Sequence, residues 1–285
     1  MNNFPLTRDA LIRLGIFPII DHYYEPLFNP RHLRTPLDVV RDLPGIAFRI
    51  DSQLDLLSRL RWRTEIESWP DAELPGLGRV FPLPDSQYGP GDADFLYQFL
   101  RLTRPRNVVE IGCGGSSKII ELALAANRAD GAGPCRHVCI EPYENPWLER
   151  LGVELLRARV EDVDPAFFRA LGSGDLLFID SSHVIRPQGD VLCEFQRVIP
   201  SLAAGVFVHV HDIFTPRDYP SEWLVNKVKL WNEQYLFETM LAHNPRYQVV
   251  ASLNLLKHCE FEALQACCPW LTANSEPGAF YFQIV

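Results

Sequence analysis

The stretch that decides the fold is Val108-Val109-Glu110-Ile111-Gly112-Cys113-Gly114-Gly115-Ser116-Ser117. Three of its first four side chains are β-branched and apolar, which suits a strand covered on both faces. Gly112, Gly114 and Gly115 allow positive φ and let a ligand approach bare backbone. Ser116 or Ser117 then suits the N-cap of a helix over Lys118–Asn127, whose first free N–H groups point back at the turn. Glu110 is an acid where an apolar residue would be expected. Strand, glycine turn and helix N-terminus together make a cradle for a small molecule.

Working outward, 285 residues of which 47% are hydrophobic can bury a full core, so one large domain, or a domain with a cap, fits. A net charge of -9 argues against a nucleic-acid backbone or an anionic membrane as partner. Seven cysteines without a CxxC pair read as reduced thiols of an intracellular protein. His258-Cys259 and Cys267-Cys268 match no zinc-finger spacing and read as packing. Met1–Ile20 lacks the pattern of a signal peptide, and no apolar run approaches the roughly 18–20 residues of a membrane span. A cytoplasmic location is expected.

Residues 1–87 are proline-rich with short helical stretches and read as a mainly helical cap; residues 88–285 read as the binding domain. In the cap, Thr7 suits a helix cap, Ser52–Trp69 has amphipathic spacing, and Asp21-His22-Tyr23-Tyr24 offers polar aromatic tips suited to a lid. Beyond Gly91, where Asp92 suits a helix cap, strand and helix signals alternate. Strands are expected at Val108–Ile111, His137–Ile140, Leu155–Val160, Leu176–Ile179 and Val206–Val210. This alternation is that of an α/β fold with a parallel sheet. A long helix (Ser221–Leu241), a strand (Tyr247–Ser252), a helix (Glu260–Cys267) and a last strand (Ala279–Ile284) follow. The five successive strand ends carry Glu110, Glu141, Glu161-Asp162, Asp180 with His183, and His211-Asp212. In open parallel sheets those ends are where ligands bind.

A dinucleotide fingerprint fits poorly: Ser117 replaces the third glycine, and Glu141 lies about 30 residues beyond Glu110 rather than about 20. The ordered set Glu110-x-Gly112-x-Gly114, with acids ending the second and fourth strands, resembles the class I S-adenosylmethionine-dependent methyltransferases. FIDSSH (178–183), VHVHDIF (208–214), DYPSEW (218–223) and DHYYEPLF (21–28) resemble the branch of small-molecule O-methyltransferases that act on natural products and sugars. The resemblance implies a Rossmann-like seven-stranded sheet, mostly parallel, with the last strand antiparallel beside the fifth. It implies that Gly112, Gly114 and Ser116 form the turn against the methionine part of S-adenosylmethionine, with Glu110 near its amino group. Glu141 would hold the ribose hydroxyls, the loop around Arg159–Asp162 would flank the adenine with Val160 as an apolar contact and Glu161 or Asp162 near its amine, and Asp180 would lie near the methyl group.

The chemistry falls to the far strand ends. Asp180, His183 and His211 are the candidate catalytic residues, since histidine suits proton removal from a hydroxyl near neutral pH. Alternation puts His209 and His211 on one face, with His209 deeper and read as core. His183, His211 and Asp212 are the candidate ligands of a divalent metal such as Fe, Mn or Mg. The expected partner is a small-molecule acceptor. Two readings remain beside this one: a metal-dependent enzyme that oxidises or cyclises S-adenosylmethionine itself, and a non-catalytic protein that only binds it.

Overall fold

The computed structural model describes residues 10–17, 19–69, 73–74, 78–79, 88–143 and 145–285. Seven strands form one sheet: β1 (Asn107–Ile111), β2 (Arg136–Ile140), β3 (Glu154–Leu156), β4 (Leu176–Ile179), β5 (Phe207–Val210), β6 (Tyr247–Ser252) and β7 (Phe280–Ile284). Their order is β3-β2-β1-β4-β5-β7-β6. The first five pair in parallel, while β7 enters antiparallel between β5 and β6. This is the expected Rossmann-like sheet.

Alternation along each strand fills two cores. Val108, Leu176 and Phe178 pack on one face with α1 (Ile50–Arg59), α2 (Asp92–Thr103) and α3 (Gly115–Ala129), while Val109, Ile111, Leu177 and Ile179 pack on the other. Burying such side chains contributes about 1.5–3 kcal/mol each. The N-terminal region shares the first core. Leu56 and Leu57 of α1 join that cluster, and Gln53 accepts the Ser252 N–H at 2.8 Å, tying α1 to β6.

Several expectations change. The amphipathic stretch 52–69 is two helices, α1 and Arg63–Glu67. Strand β3 stops at Leu156, and Val160–Asp162 is a turn of 3₁₀ helix. Asp92 is not a cap: it is the first residue of α2, and its carboxylate accepts the Gly278 and Ala279 N–H groups at 3.1 and 2.8 Å, anchoring the entry to β7. The 221–241 helix breaks into a turn at Glu222–Asn226 and α4 (Glu233–Leu241). Helix α5 (Leu253–Cys259) follows β6 directly. Tyr23 and Tyr24 are exposed and border neither part of the strand-end cleft described below, so the Asp21–Tyr24 segment does not cover it as a lid. Thr7 lies outside the described residues. No described helix is long and apolar enough to cross a membrane.

Candidate active site

The turn after β1 is shaped by two glycines with different tasks. Gly112 has φ +76°, and a Cβ there would sit 1.8 Å from the Asp180 carbonyl oxygen, so the close approach of β1 and β4 requires glycine. A Cβ on Gly114 would meet nothing within 4 Å. Its backbone is the open one.

Ser116 and Ser117 do not cap α3, which begins at Gly115 with Gly114 as its N-cap. They lie in the first turn and donate their hydroxyls to the two oxygens of Glu110, at 2.5 and 2.7 Å. The reason is burial. Glu110 shares the face of Val108, towards α3, and has no exposed surface, so its carboxylate needs internal donors. His137 Nε2 lies 3.2 Å away and Cys139 Sγ 3.5 Å away, while His137 Nδ1 is 2.9 Å from Glu121. Burial opposes the imidazolium, but the bonds to Cys139, Glu110 and Glu121 outweigh it and hold His137 well above its usual pKa. Glu110 therefore sits beneath the turn, out of reach of the cleft that the sequence assigned it to.

Above the turn lies a cavity of about 600 Å³ bordered by Gly112, Glu141, Val160, Glu161, Asp180 and Asp190. Glu141 accepts the Cys113 and Tyr143 N–H groups at 3.2 and 2.9 Å, which fixes its carboxylate at the end of β2. Asp162 is not on this wall. A smaller cavity of about 290 Å³ shares Gly112, Glu141 and Asp180 with the first and continues to Gly114, Ser116, His183 and Asp212. The two form one cleft along the strand ends.

In this second part the ligand atoms of Asp180, His183 and Asp212 all lie within 4.8 Å of one another. His183 Nε2 is 3.2 Å from Asp180 Oδ1 and 3.4 Å from Asp212 Oδ2, and Nδ1 is 2.9 Å from Glu233 Oε2. A single N–H on Nε2 cannot serve two carboxylates well. His183 and Asp212 both have left-handed φ, +60° and +57°, a conformation costing roughly 1–3 kcal/mol that persists only where the surrounding structure over-determines it. Burial again opposes charge on His183, but Asp180 and Glu233 outweigh it and raise its pKa well above the usual value.

His211 is not in this group, although the sequence placed it among the metal ligands. It stays on the face of His209, against Tyr88 at 4.9 Å, with Nε2 3.5 Å from Asp212 and Nδ1 unpartnered among the described residues. The left-handed turn at Asp212 sends its carboxylate towards His183, and Asp180 takes the third place. His209 is core as expected: its ring stacks on Phe178 at 4.0 Å and, being fully buried, has a pKa well below the usual value.

Sequence reasoning missed three neighbours. Burial pushes Asp92 up to about 6; burial opposes charge on His211, but Asp212, Asp180 and then Asp92 outweigh it and raise the His211 pKa. Glu233 orients His183, and Trp231 packs on the His183 ring at 4.2 Å. Both were read as mid-helix. Asn232 before an acidic first turn was the available N-cap signal; its backbone N–H and that of Glu233 bond to the His183 carbonyl at 3.0 and 3.2 Å.

Sheet order and strand-end cleft define an α/β domain with a cavity over a glycine turn, at the edge where open parallel sheets take their ligands. Residues 109–213 match the family described as a methyltransferase domain, on a sheet order that is Rossmann-like. An uncharacterized protein of Archaeoglobus fulgidus is 27% identical over 167 residues, 55% of this chain and 74% of that one. Looser overlaps include cmcI described with Mg and SAM (11% identity, 77% of this chain and 84% of that one, TM-score 0.40). Another is an S-adenosylmethionine-dependent methyltransferase from Clostridium acetobutylicum (9% identity, 70% and 93%, TM-score 0.39).

Proposed function

We propose that this chain moves a methyl group from S-adenosylmethionine to a hydroxyl of a small molecule, with a divalent cation held by Asp180, His183 and Asp212. The observation that carries this is the continuity of the cleft: its two parts share Gly112, Glu141 and Asp180. The open face of Gly114 suits the methionine part, the two oxygens of Glu141 suit a ribose diol, and Val160 with Glu161 flanks the adenine. Ser116 and Glu110 act from below by fixing the turn.

Methyl transfer is an in-line displacement at a sulfonium, so alignment supplies most of what is needed, about 7–11 kcal/mol, and a positioned base adds about 10²–10⁴-fold. His211, which borders the second part of the cleft beside Asp212, is the base in this reading. Two carboxylates and one imidazole fit Mn²⁺, Fe²⁺ or Mg²⁺, with Glu233 as the carboxylate behind the ligating histidine. Such a cation, when bound, supplies the Lewis acidity that lowers the pKa of an acceptor hydroxyl. His183 would then be neutral at Nε2, with Nδ1–H donated to Glu233. Calorimetric titration with S-adenosylmethionine tests the donor half. Wild type should bind, and Glu141→Ala should bind at least about tenfold more weakly, as expected for losing hydrogen bonds to a charged group. Equal binding by both, or none by wild type, would reject the reading.

A further inference from the structure

We infer that the acceptor is a hydroxylated aromatic acid, and that Lys229 recognises it by pairing with its carboxylate while its hydroxyl faces Asp180, His183 and Asp212. The inference rests on the methyl-transfer reading above.

Position is the first argument, and Trp231 is the link between Lys229 and the cleft. Its indole borders the second part of the cleft and packs on the His183 ring at 4.2 Å. Trp223 meets it edge-on at 5.1 Å, so the two rings form a corner. Lys229 Nζ sits in that corner, 3.9 Å from the Trp231 ring centre and 4.5 Å from that of Trp223. The corner is held in place. Phe214 packs edge-on to Trp223 at 5.2 Å, and both tryptophans lie against the buried cluster of Leu37, Phe214, Tyr219 and Leu224. The Lys229 N–H donates to the Trp223 carbonyl at 2.8 Å. The turn that makes this bond puts Val228 at φ +52°, a region that a β-branched residue rarely adopts and that persists only where its surroundings impose it. The backbone of Lys229 is thus fixed beside the cleft.

Chemistry is the second. Lys227 and Lys257 pair with Glu222 and Glu276 at 3.9 and 2.6 Å, whereas Lys229 has no carboxylate partner within 4.0 Å among the described residues. Ring faces attract an ammonium but leave its N–H donors free for stronger acceptors. Lys229, Trp223 and Trp231 are each only partly buried, so a ligand can meet them. Partial burial lowers the Lys229 pKa, as does Lys227, against the charges of Asp212 and Asp180, so the ammonium stands within electrostatic reach of both acids. A divalent cation held by those acids would take up their charge and leave Lys229 without a counter-charge. An anionic ligand restores the balance, and a cationic one meets the ammonium that already fills the corner. The partly exposed indoles offer an aromatic body stacked or edge-on contact.

The test is binding, so it needs no knowledge of the true acceptor. The probes are 3-hydroxybenzoate, 4-hydroxyphenylacetate and 3-(4-hydroxyphenyl)propionate, which separate hydroxyl and carboxylate by different lengths, each beside its primary amide. Calorimetry on the full chain with Mn²⁺ reads the affinities. At least one acid should bind about fivefold or more tightly than its amide, between the scale of an exposed ion pair and that of a charge-assisted hydrogen bond. Lys229→Met should remove the preference and Lys229→Arg should keep most of it, with the affinity for S-adenosylmethionine within twofold of wild type in both. If Lys229 only braced the tryptophans, Lys229→Met would weaken acid and amide alike, and that result overturns the proposal. So does no preference in any pair, no binding of any probe, or a preference that survives Lys229→Met. If wild type also fails to bind S-adenosylmethionine, the methyl-transfer reading itself falls; if it binds, only the assignment of Lys229 does.

Discussion

Two clusters of carboxylate, imidazole and thiol groups in this protein differ in how far their members are satisfied and buried. Beneath the glycine turn, Glu110, His137 and Cys139 bring ligand-type atoms together; at the ends of β4 and β5, Asp180, His183 and Asp212 do the same. The first is closed. Both Glu110 oxygens accept serine hydroxyls, both His137 nitrogens face carboxylates, and none of the three residues has more than slight exposure. The second borders the cleft, sits on two left-handed residues, and asks one imidazole N–H to serve two carboxylates. Residue type alone does not make a site. A saturated cluster reads as scaffold, and an unsaturated one on a cleft is the candidate for chemistry proposed above.

Substitutions break this comparison in different ways. The largest effect is expected from His137→Ala, which strips Glu110 and Glu121 of their shared partner: about 3–5 kcal/mol of stability by urea unfolding, with Mn²⁺ affinity unchanged in the folded fraction. Asp92, beside the open cluster, gives the pH signature. Its carboxyl rises from 3.8 to about 6 on folding, so the native state holds that proton more tightly than the unfolded chain. Its contribution is fully present below pH 3.8 and is lost as pH rises through about 6. The loss is on the order of 3 kcal/mol, and Asp92→Asn should flatten that part of the stability profile. Glu233→Gln leaves the three ligands in place but loosens His183. Mn²⁺ affinity, read by calorimetry, should fall about 10–100-fold. Ser117→Ala is the mildest, at about 1–2 kcal/mol of stability, because Glu110 keeps its other partners.

Much of the sheet was legible because apolar runs and strand-end acids recur in order from Val108 to Asp212. The antiparallel last strand came from the family resemblance rather than from the pattern. The place of Glu110 was also within reach, since a period of two puts it on the face of Val108, towards α3. The motif's usual role drew attention away from that. What the sequence could not give depends on tertiary contacts. The left-handed turns at His183 and Asp212 exchange Asp180 for His211 in the cluster, and the break after Asn226 carries Trp231 and Glu233 against His183.

The division between scaffold and chemistry is most directly tested by anomalous diffraction from crystals soaked in Mn²⁺ with S-adenosylmethionine. The account predicts one strong peak among Asp180, His183 and Asp212 and no density beside Glu110, His137 and Cys139. A peak at the buried cluster, or an empty cleft at saturating Mn²⁺, would contradict it.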